Sequence, residues 1–316
     1  MRRITVILAV GLILLGLPIL GGEALVIDEV MVRYPAGYTK LLVMDVVPFL
    51  TDPQLMEGVI EPLLAANHPL VGIVRTIRLF EIPPETVEFI AHGQGPGLTS
   101  FSLIEGPPFA HTFGALQGLR AAAGAPGSPY THWELESIQG LPVVFVGGIF
   151  GPIAIEWAYI PTEGALWIGT EVAFLPGRPD VARLRSTAEL VAAKLAGKPG
   201  YFDELLIAAQ VKGGQVAFVR VSAPGERPME AGEQAMGFTF SLSSSGLSGR
   251  FALRFWTAAD AVAAAERFAA GTSPYLALDL YRAELVELVH FGRSLDAGVT
   301  TTLSGLVGLL MLVMPF

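Results

Sequence analysis

Residues 130–170, "YTHWELESIQGLPVVFVGGIFGPIAIEWAYIPTEGALWIGT", contain four β-prone runs. YTHWELESI, LPVVFVGGI, IAIEWAYI and ALWIGT are separated by Gly-Leu-Pro, Gly-Pro and Thr-Glu-Gly turns, the punctuation of an antiparallel meander. In the first run Tyr130, His132, Glu134 and Glu136 alternate with Thr131, Trp133, Leu135 and Ser137, as expected of a strand with one wet face. The other runs are apolar at nearly every position, which requires cover on both sides.

Cover is available on either side in sequence. "RPDVARLRSTAELVAAKLAGKPG" (178–200) carries Val181, Leu184, Ala188, Val191 and Leu195 at helical spacing and Gly197 as a stop. Upstream, "YTKLLVMDVV" (38–47) reads as a buried strand, and Asp52-Pro53 gives an N-cap and first helical residue, with Leu55, Val59 and Leu63 following and Pro62 expected to kink or end the helix. "AHGQGPGLTSF" (91–101) lies between two β-prone segments. Its Gly93, Gly95 and Gly97 are followed by strand-like residues instead of a helix start, so they do not form a dinucleotide loop, and a hairpin turn is the expectation. "PPFAHTFGALQGLRAAAG" (107–124) reads as a helix, and "APGSP" (125–129) as a loop.

The last third repeats this grammar. "GQVAFVRVSA", "AMGFTFSLSSS" and "SGRFALRFW" read as strands, and Thr257 with Asp260 approximates a capping box ahead of "AADAVAAAERFAAG". "LALDLYRAELVELVHFGR" places Leu278, Arg282, Leu285, Leu288 and Val289 at mixed helical spacing. "TTTLSGLVGLLMLVMPF" is uncharged, and its dense part is too short to span a bilayer. It reads either as a buried final strand and helix or as an apolar surface on which Leu306, Leu309, Leu310 and Val313 contact a membrane or an acyl chain.

These patterns predict an α+β fold: mostly antiparallel sheets with covering helices in two related lobes, residues 25–124 and 125–316, preceded by an N-terminal export or anchor helix. In that N-terminal segment, "MRRITVILAVGLILLGLPILGGEA", Arg2 and Arg3 precede an uncharged run from Ile4 to Gly22. Gly22 and Ala24 suit signal-peptidase cleavage after Ala24, while the run is also close to the length of a membrane anchor. Either outcome places residues 25–316 outside the cytoplasm, secreted or held in the cytoplasmic membrane by residues 4–22.

The quoted segments from residue 38 to about 270, in particular "SLIEGPPF", "LPVVFV" and "ALWIGT" with the helix that follows, resemble a class of exported bacterial proteins of unknown function with duplicated α+β units. The resemblance implies the fold and the extracytoplasmic location, and it carries over no catalytic residues.

Composition bounds the chemistry. The 316 residues are 52% hydrophobic and 16% charged, with formal charge −9; mean hydropathy is +0.55 and the isoelectric point about 5.1. A chain this acidic lacks the clustered cations that nucleic-acid binding needs. The absence of cysteine excludes disulfides, thiolate metal sites and a cysteine nucleophile. Serines 248 and 304 miss the nucleophile-elbow pattern. No cofactor motif is present.

The densest polar group is His132, Glu134 and Glu136, a stripe that could bind a divalent cation or pair carboxylates for hydrolysis if His92 or His111 converged on it. A solvated sheet face gives the same pattern. Asp45, in a buried strand, is expected to pair with Arg75 or Arg78. The leading expectation is a non-catalytic envelope protein that binds an envelope protein or lipid at the outer face of the cytoplasmic membrane. A carrier of a lipid or other apolar ligand and a metal-assisted or carboxylate hydrolase are the alternatives. A hydrolase requires convergence on the stripe, and a carrier requires a continuous apolar cavity.

Overall fold

The computed structural model describes residues 30, 33–66, 68–197, 214–222, 228–243, 246–276 and 283–313. The uncharged run 4–22, expected to direct export, lies outside them. No helix among the described residues is long and apolar enough to cross a membrane.

The apolar runs become strands β1 (Lys40–Met44), β2 (Phe89–Gln94), β3 (Phe101–Glu105), β4 (Tyr130–Ile138), β5 (Leu141–Phe150), β6 (Ile153–Thr162) and β7 (Ala165–Phe174). The later strands are β8 (Val216–Val221), β9 (Glu233–Ser243), β10 (Gly246–Phe255), β11 (Ala283–Phe291) and β12 (Ser294–Thr301). They join into one twelve-stranded sheet of order β11-β12-β10-β9-β8-β1-β2-β3-β7-β6-β5-β4, antiparallel at every junction. The helices are α1 (Val47–Thr51), α2 (53–65), α3 (Leu70–Leu79), α4 (Phe109–Ala122), α5 (Val181–Leu195), α6 (Ala258–Ala269) and α7 (Leu303–Val313).

The strand order contains a repeat. Three meandering strands (β1–β3), a helix (α4), a returning meander whose last strand (β7) pairs with the third, and a closing helix (α5) recur as β8–β10, α6, β11–β12 and α7. The units meet where β1 pairs antiparallel with β8, Leu42 opposite Phe218. The 125–129 loop joins α4 to β4 inside the first unit, so the topological break falls between α5 and β8 and not at that loop.

The central strands are apolar throughout because both faces are covered. Leu42, Met44, Ile90, Ile104, Phe218 and Phe238 pack under α1–α4, α6 and α7 on the first face. Leu41, Val43, Phe101, Phe145, Ala158 and Trp167 pack on the second face under α5 and the segment containing Tyr34 and Tyr38.

Helix starts follow the local chemistry. Asp52 accepts from the Gln54 and Leu55 amides at 2.8 and 3.4 Å, and Thr257 Oγ1 accepts from the Asp260 amide at 3.1 Å. Pro62 does not end its helix. A π-helical turn at Met56–Ile60 precedes it, and Pro62 then sits in the first turn of Glu61–Ala65, where a missing N–H is tolerated.

Two bulges explain departures from the sequence pattern. In β11 a register shift between Leu285 and Glu287 makes Leu285 and Leu288, three apart, the residues that pack on the core, so a strand imitates helical spacing. In β4 a shift between Tyr130 and His132 turns Tyr130 away from the stripe, toward Phe150 and Trp157 at centroid distances of 5.9 and 6.3 Å.

Candidate functional site

On the second face, antiparallel pairing sets His132, Gly147, Glu156 and Glu171 in one cross-strand row. Gly147 leaves the space the ring occupies: a Cβ there would lie 2.3 Å from the His132 ring, which reaches Glu156, Nε2 to Oε1 at 2.8 Å. Glu156 is buried, and that burial pushes its carboxyl above the ordinary value, offset in part by His132 and Arg185.

α5 closes the row. Its N-cap Asp180 accepts from the Arg183 amide at 3.0 Å, which starts the helix where Arg183 and Arg185 overhang the sheet. Arg183 Nε and Nη2 donate to the two oxygens of buried Glu171 at 2.8 and 2.6 Å, and Thr99 Oγ1 donates to the same carboxylate at 2.5 Å. Arg185 donates to Glu134 at 2.6 Å and also to Glu136, with its guanidinium 4.2 Å from the Phe145 ring centroid. The stripe thus docks a helix.

The other histidines are elsewhere. His92 is buried on the first face, Nδ1 2.8 Å from Ser102 Oγ. Its pKa is pushed down to about 3 by burial and by the nearby charge of His68. His68 accepts the Leu70 amide on Nδ1 at 3.3 Å, so Nε2 carries the proton and donates to the Leu310 carbonyl at 3.3 Å. Burial holds its pKa down at about 4. His111 on α4 donates from Nε2 to the Phe80 carbonyl at 2.8 Å. Neither His92 nor His111 meets His132, and no group of three or more metal-ligating side chains forms among the described residues.

Asp45 is half-buried, which raises its pKa against a stabilising Val47 amide. It forms no ion pair with Arg75 or Arg78 among the described residues, and Arg78 lies 3.9 Å from Met56 Sδ instead. Leu306, Leu309, Leu310 and Val313 are buried in the first-face core, the internal alternative of the two the sequence allows.

A second polar cluster was not legible in the sequence. Arg220 on β8 donates to Glu233 at the start of β9 and, at 3.1 Å, to Tyr275 Oη; Tyr275 donates to Glu233 at 2.6 Å. Glu230 accepts from Arg267 Nε at 2.8 Å and Ser273 Oγ at 2.6 Å. Both glutamates are buried.

A cleft of about 510 Å³ opens beside the β2–β3 loop. Its walls include Thr39, Lys40, Gln94, Thr99, Glu171 and Arg183, and the "GQGPGLTS" stretch supplies one side. The loop is the expected hairpin turn, but it also shapes this cleft: Gly95 packs so closely that a Cβ would lie 2.2 Å from the Gly37 carbonyl oxygen.

Neither protein-family models nor curated protein sequences match the chain. Among solved structures, crystal form I of TP0453 is similar at TM-score 0.48 and 11% identity, covering 89% of this chain and 95% of that one. Crystal form III of TP0453 gives TM-score 0.46 and 10% identity over 89% and 96%.

Proposed function

We propose that the chain is an exported envelope protein that binds a partner or ligand at the outer face of the cytoplasmic membrane without catalysing a reaction, and that the cleft beside the β2–β3 loop is its binding element. The observation that supports the non-catalytic reading is the engagement of the β4 carboxylates: Arg185 holds Glu134 and Glu136, whose lone pairs a metal site or a hydrolytic carboxylate pair would need free. The cleft is open space lined by Thr39, Lys40, Gln94 and Ser100 beside the Arg183–Glu171 pair. The N-terminal arginines and apolar run support export.

The test is native mass spectrometry of the full chain purified from a bacterial membrane fraction, beside an Arg183→Ala variant. A bound component lost in that variant supports the reading. A stoichiometric divalent metal lost on His132→Gln substitution overturns it in favour of the hydrolase. Fusion to a reporter enzyme active only outside the cytoplasm checks location: activity should disappear on Leu14→Asp substitution, and activity retained in that variant removes the export argument.

A further inference from the structure

Strand β7 is 10 residues long and its neighbour β3 is 5. Their register runs from Ala165 opposite Glu105 to Gly169 opposite Phe101, and there the pairing stops. The chain leaves the edge of β7 at that level because Thr99 uses its backbone elsewhere. Its amide donates to Thr187 Oγ1 at 3.1 Å, and its carbonyl accepts from the Tyr38 hydroxyl at 2.8 Å. Thr170–Ala173 go on pairing with β6, from Trp157 opposite Thr170 to Ala154 opposite Ala173. On their other side no backbone hydrogen bond joins them to any described residue. The Phe174 carbonyl then accepts from the Gly177 amide at 2.8 Å, which ends the open stretch. The cleft lies along this half-edge: Thr170, Glu171 and Val172 line it together with residues of the β2–β3 loop.

The half-edge differs from the other edges of the sheet. β4 and β11 are its end strands, and both are blunted against pairing. Each carries a bulge, and each carries acids, Glu134 and Glu136 on β4 and Glu284 and Glu287 on β11. The open half of β7 has neither device. Its register with β6 is unbroken, and its one acid, Glu171, is neutralised by Arg183. Two apolar side chains, Val172 and Phe174, stand two apart on the first face, 54% and 72% exposed. An open strand offers alternating N–H and C=O groups at strand spacing, and the ligand that matches such a ladder along its length is another extended main chain.

We propose that the cleft binds an extended peptide segment of a partner protein, which adds as a strand to β7 at Thr170–Ala173 and continues the line of β3. The proposal rests on the reading of the cleft as the binding element and names the chemistry of its occupant. Every second side chain of the segment lies on the first face beside Thr170 and Val172, where an apolar group is favoured. The intervening side chains lie toward the Arg183–Glu171 pair, which has no charge left to neutralise.

The experiment is fluorescence polarisation on the full chain in detergent. The probes are a labelled hexapeptide of alternating Thr and Val and two versions of it, one N-methylated at the Thr residues and one at the Val residues. The parent peptide should bind saturably. One N-methylated version should bind about tenfold or more weakly, because the N–H groups that face β7 are gone, and the other should bind as the parent does. Val172→Lys, at an exposed position and with its fold checked by circular dichroism, should weaken the parent peptide by a similar factor. Val289→Lys on the β11 edge should leave binding unchanged. Absence of binding overturns the proposal, as does an equal effect of the two methylation patterns, which would mean that the main chain is not what β7 reads. An equal loss in Val289→Lys overturns it in favour of the end strands. A dimer dissolved by Val172→Lys, with no peptide bound, overturns it in favour of a second copy of this chain. A copurifying component lost in Arg183→Ala, with no hexapeptide binding, removes the peptide and keeps the cleft, so the two readings fail separately.

Discussion

The two units of the sheet each hold an arginine–glutamate cluster, and the clusters differ in how far water reaches them. In the first unit Arg183 and Arg185 overhang the sheet from α5, with side chains 43% and 33% exposed. In the second unit Arg220 is 10% exposed and its partner Glu233 is fully enclosed, with Tyr275 and Glu230 completing the shell. Ion pairs that water screens contribute little, whereas a buried charge that loses its partner is left without compensation. The cluster visible in the sequence as a functional candidate is therefore the one on which the fold depends less.

The sharpest test is Glu233→Ala. It removes the carboxylate that both the buried Arg220 guanidinium and the Tyr275 hydroxyl donate to, and an unfolding free energy lower by about 3–5 kcal/mol is expected in urea titration. A loss below about 1 kcal/mol would show that water enters the second cluster, and the contrast between the units would disappear.

The histidines repeat the contrast. His132 lies at the surface, while His68 is buried neutral between the Leu70 amide and the Leu310 carbonyl. Its folded pKa of about 4 lies below the ordinary imidazole value of 6.5, so the unfolded chain binds the proton more tightly. Stability is complete above pH 6.5 and declines as pH falls toward 4, by about 3 kcal/mol for this group alone. His92, depressed by burial and by His68, extends the decline further into acid. Melting temperature measured from pH 7 to pH 4 should fall steeply in the wild type and less in His68→Gln; an equal fall in both would remove His68 as a titrating group.

Arg183→Ala tests the middle of the range. Glu171 is buried and would keep only Thr99 Oγ1 as a donor, but water reaches the space Arg183 vacates. A loss of about 1–2 kcal/mol is expected in the same titration, between the buried and the exposed cases.

Local signals carried most of the fold. The meander, the Asp52 and Thr257 caps and the 91–101 hairpin each rest on residues within one turn or one strand pair, where spacing maps directly to geometry. β11 misled because its bulge replaced alternation of two with a spacing of three. The second cluster left no sequence signal: Arg220, Glu230, Glu233, Arg267, Ser273 and Tyr275 come from separate segments that only the sheet and α6 bring together. The first cluster was half legible. Period-two spacing gave His132, Glu134 and Glu136 a common face, but their partners Glu156 and Arg185 belong to β6 and α5, and those partners determine what the stripe can do.

The smallest expected effect distinguishes a docked stripe from a functional one. Arg185 meets Glu134, which is 52% exposed, and Glu136, which is 33% exposed, so Arg185→Ala should cost no more than about 1 kcal/mol, part of it from lost packing on Phe145. The substitution also leaves Glu134, Glu136 and Glu156 beside His132 without the cation that neutralises them. If Arg185 is what occupies the stripe, zinc should raise the melting temperature of Arg185→Ala and leave the wild type unchanged, because carboxylate and imidazole donors become available only when the guanidinium is gone. Arg185→Lys should behave like the wild type toward zinc, since it keeps a cation in place, while losing the two-pronged contact and the stacking. An equal zinc response in wild type and Arg185→Ala would mean that the stripe binds metal despite the arginine, and the region read here as a helix dock would return to being a candidate catalytic centre.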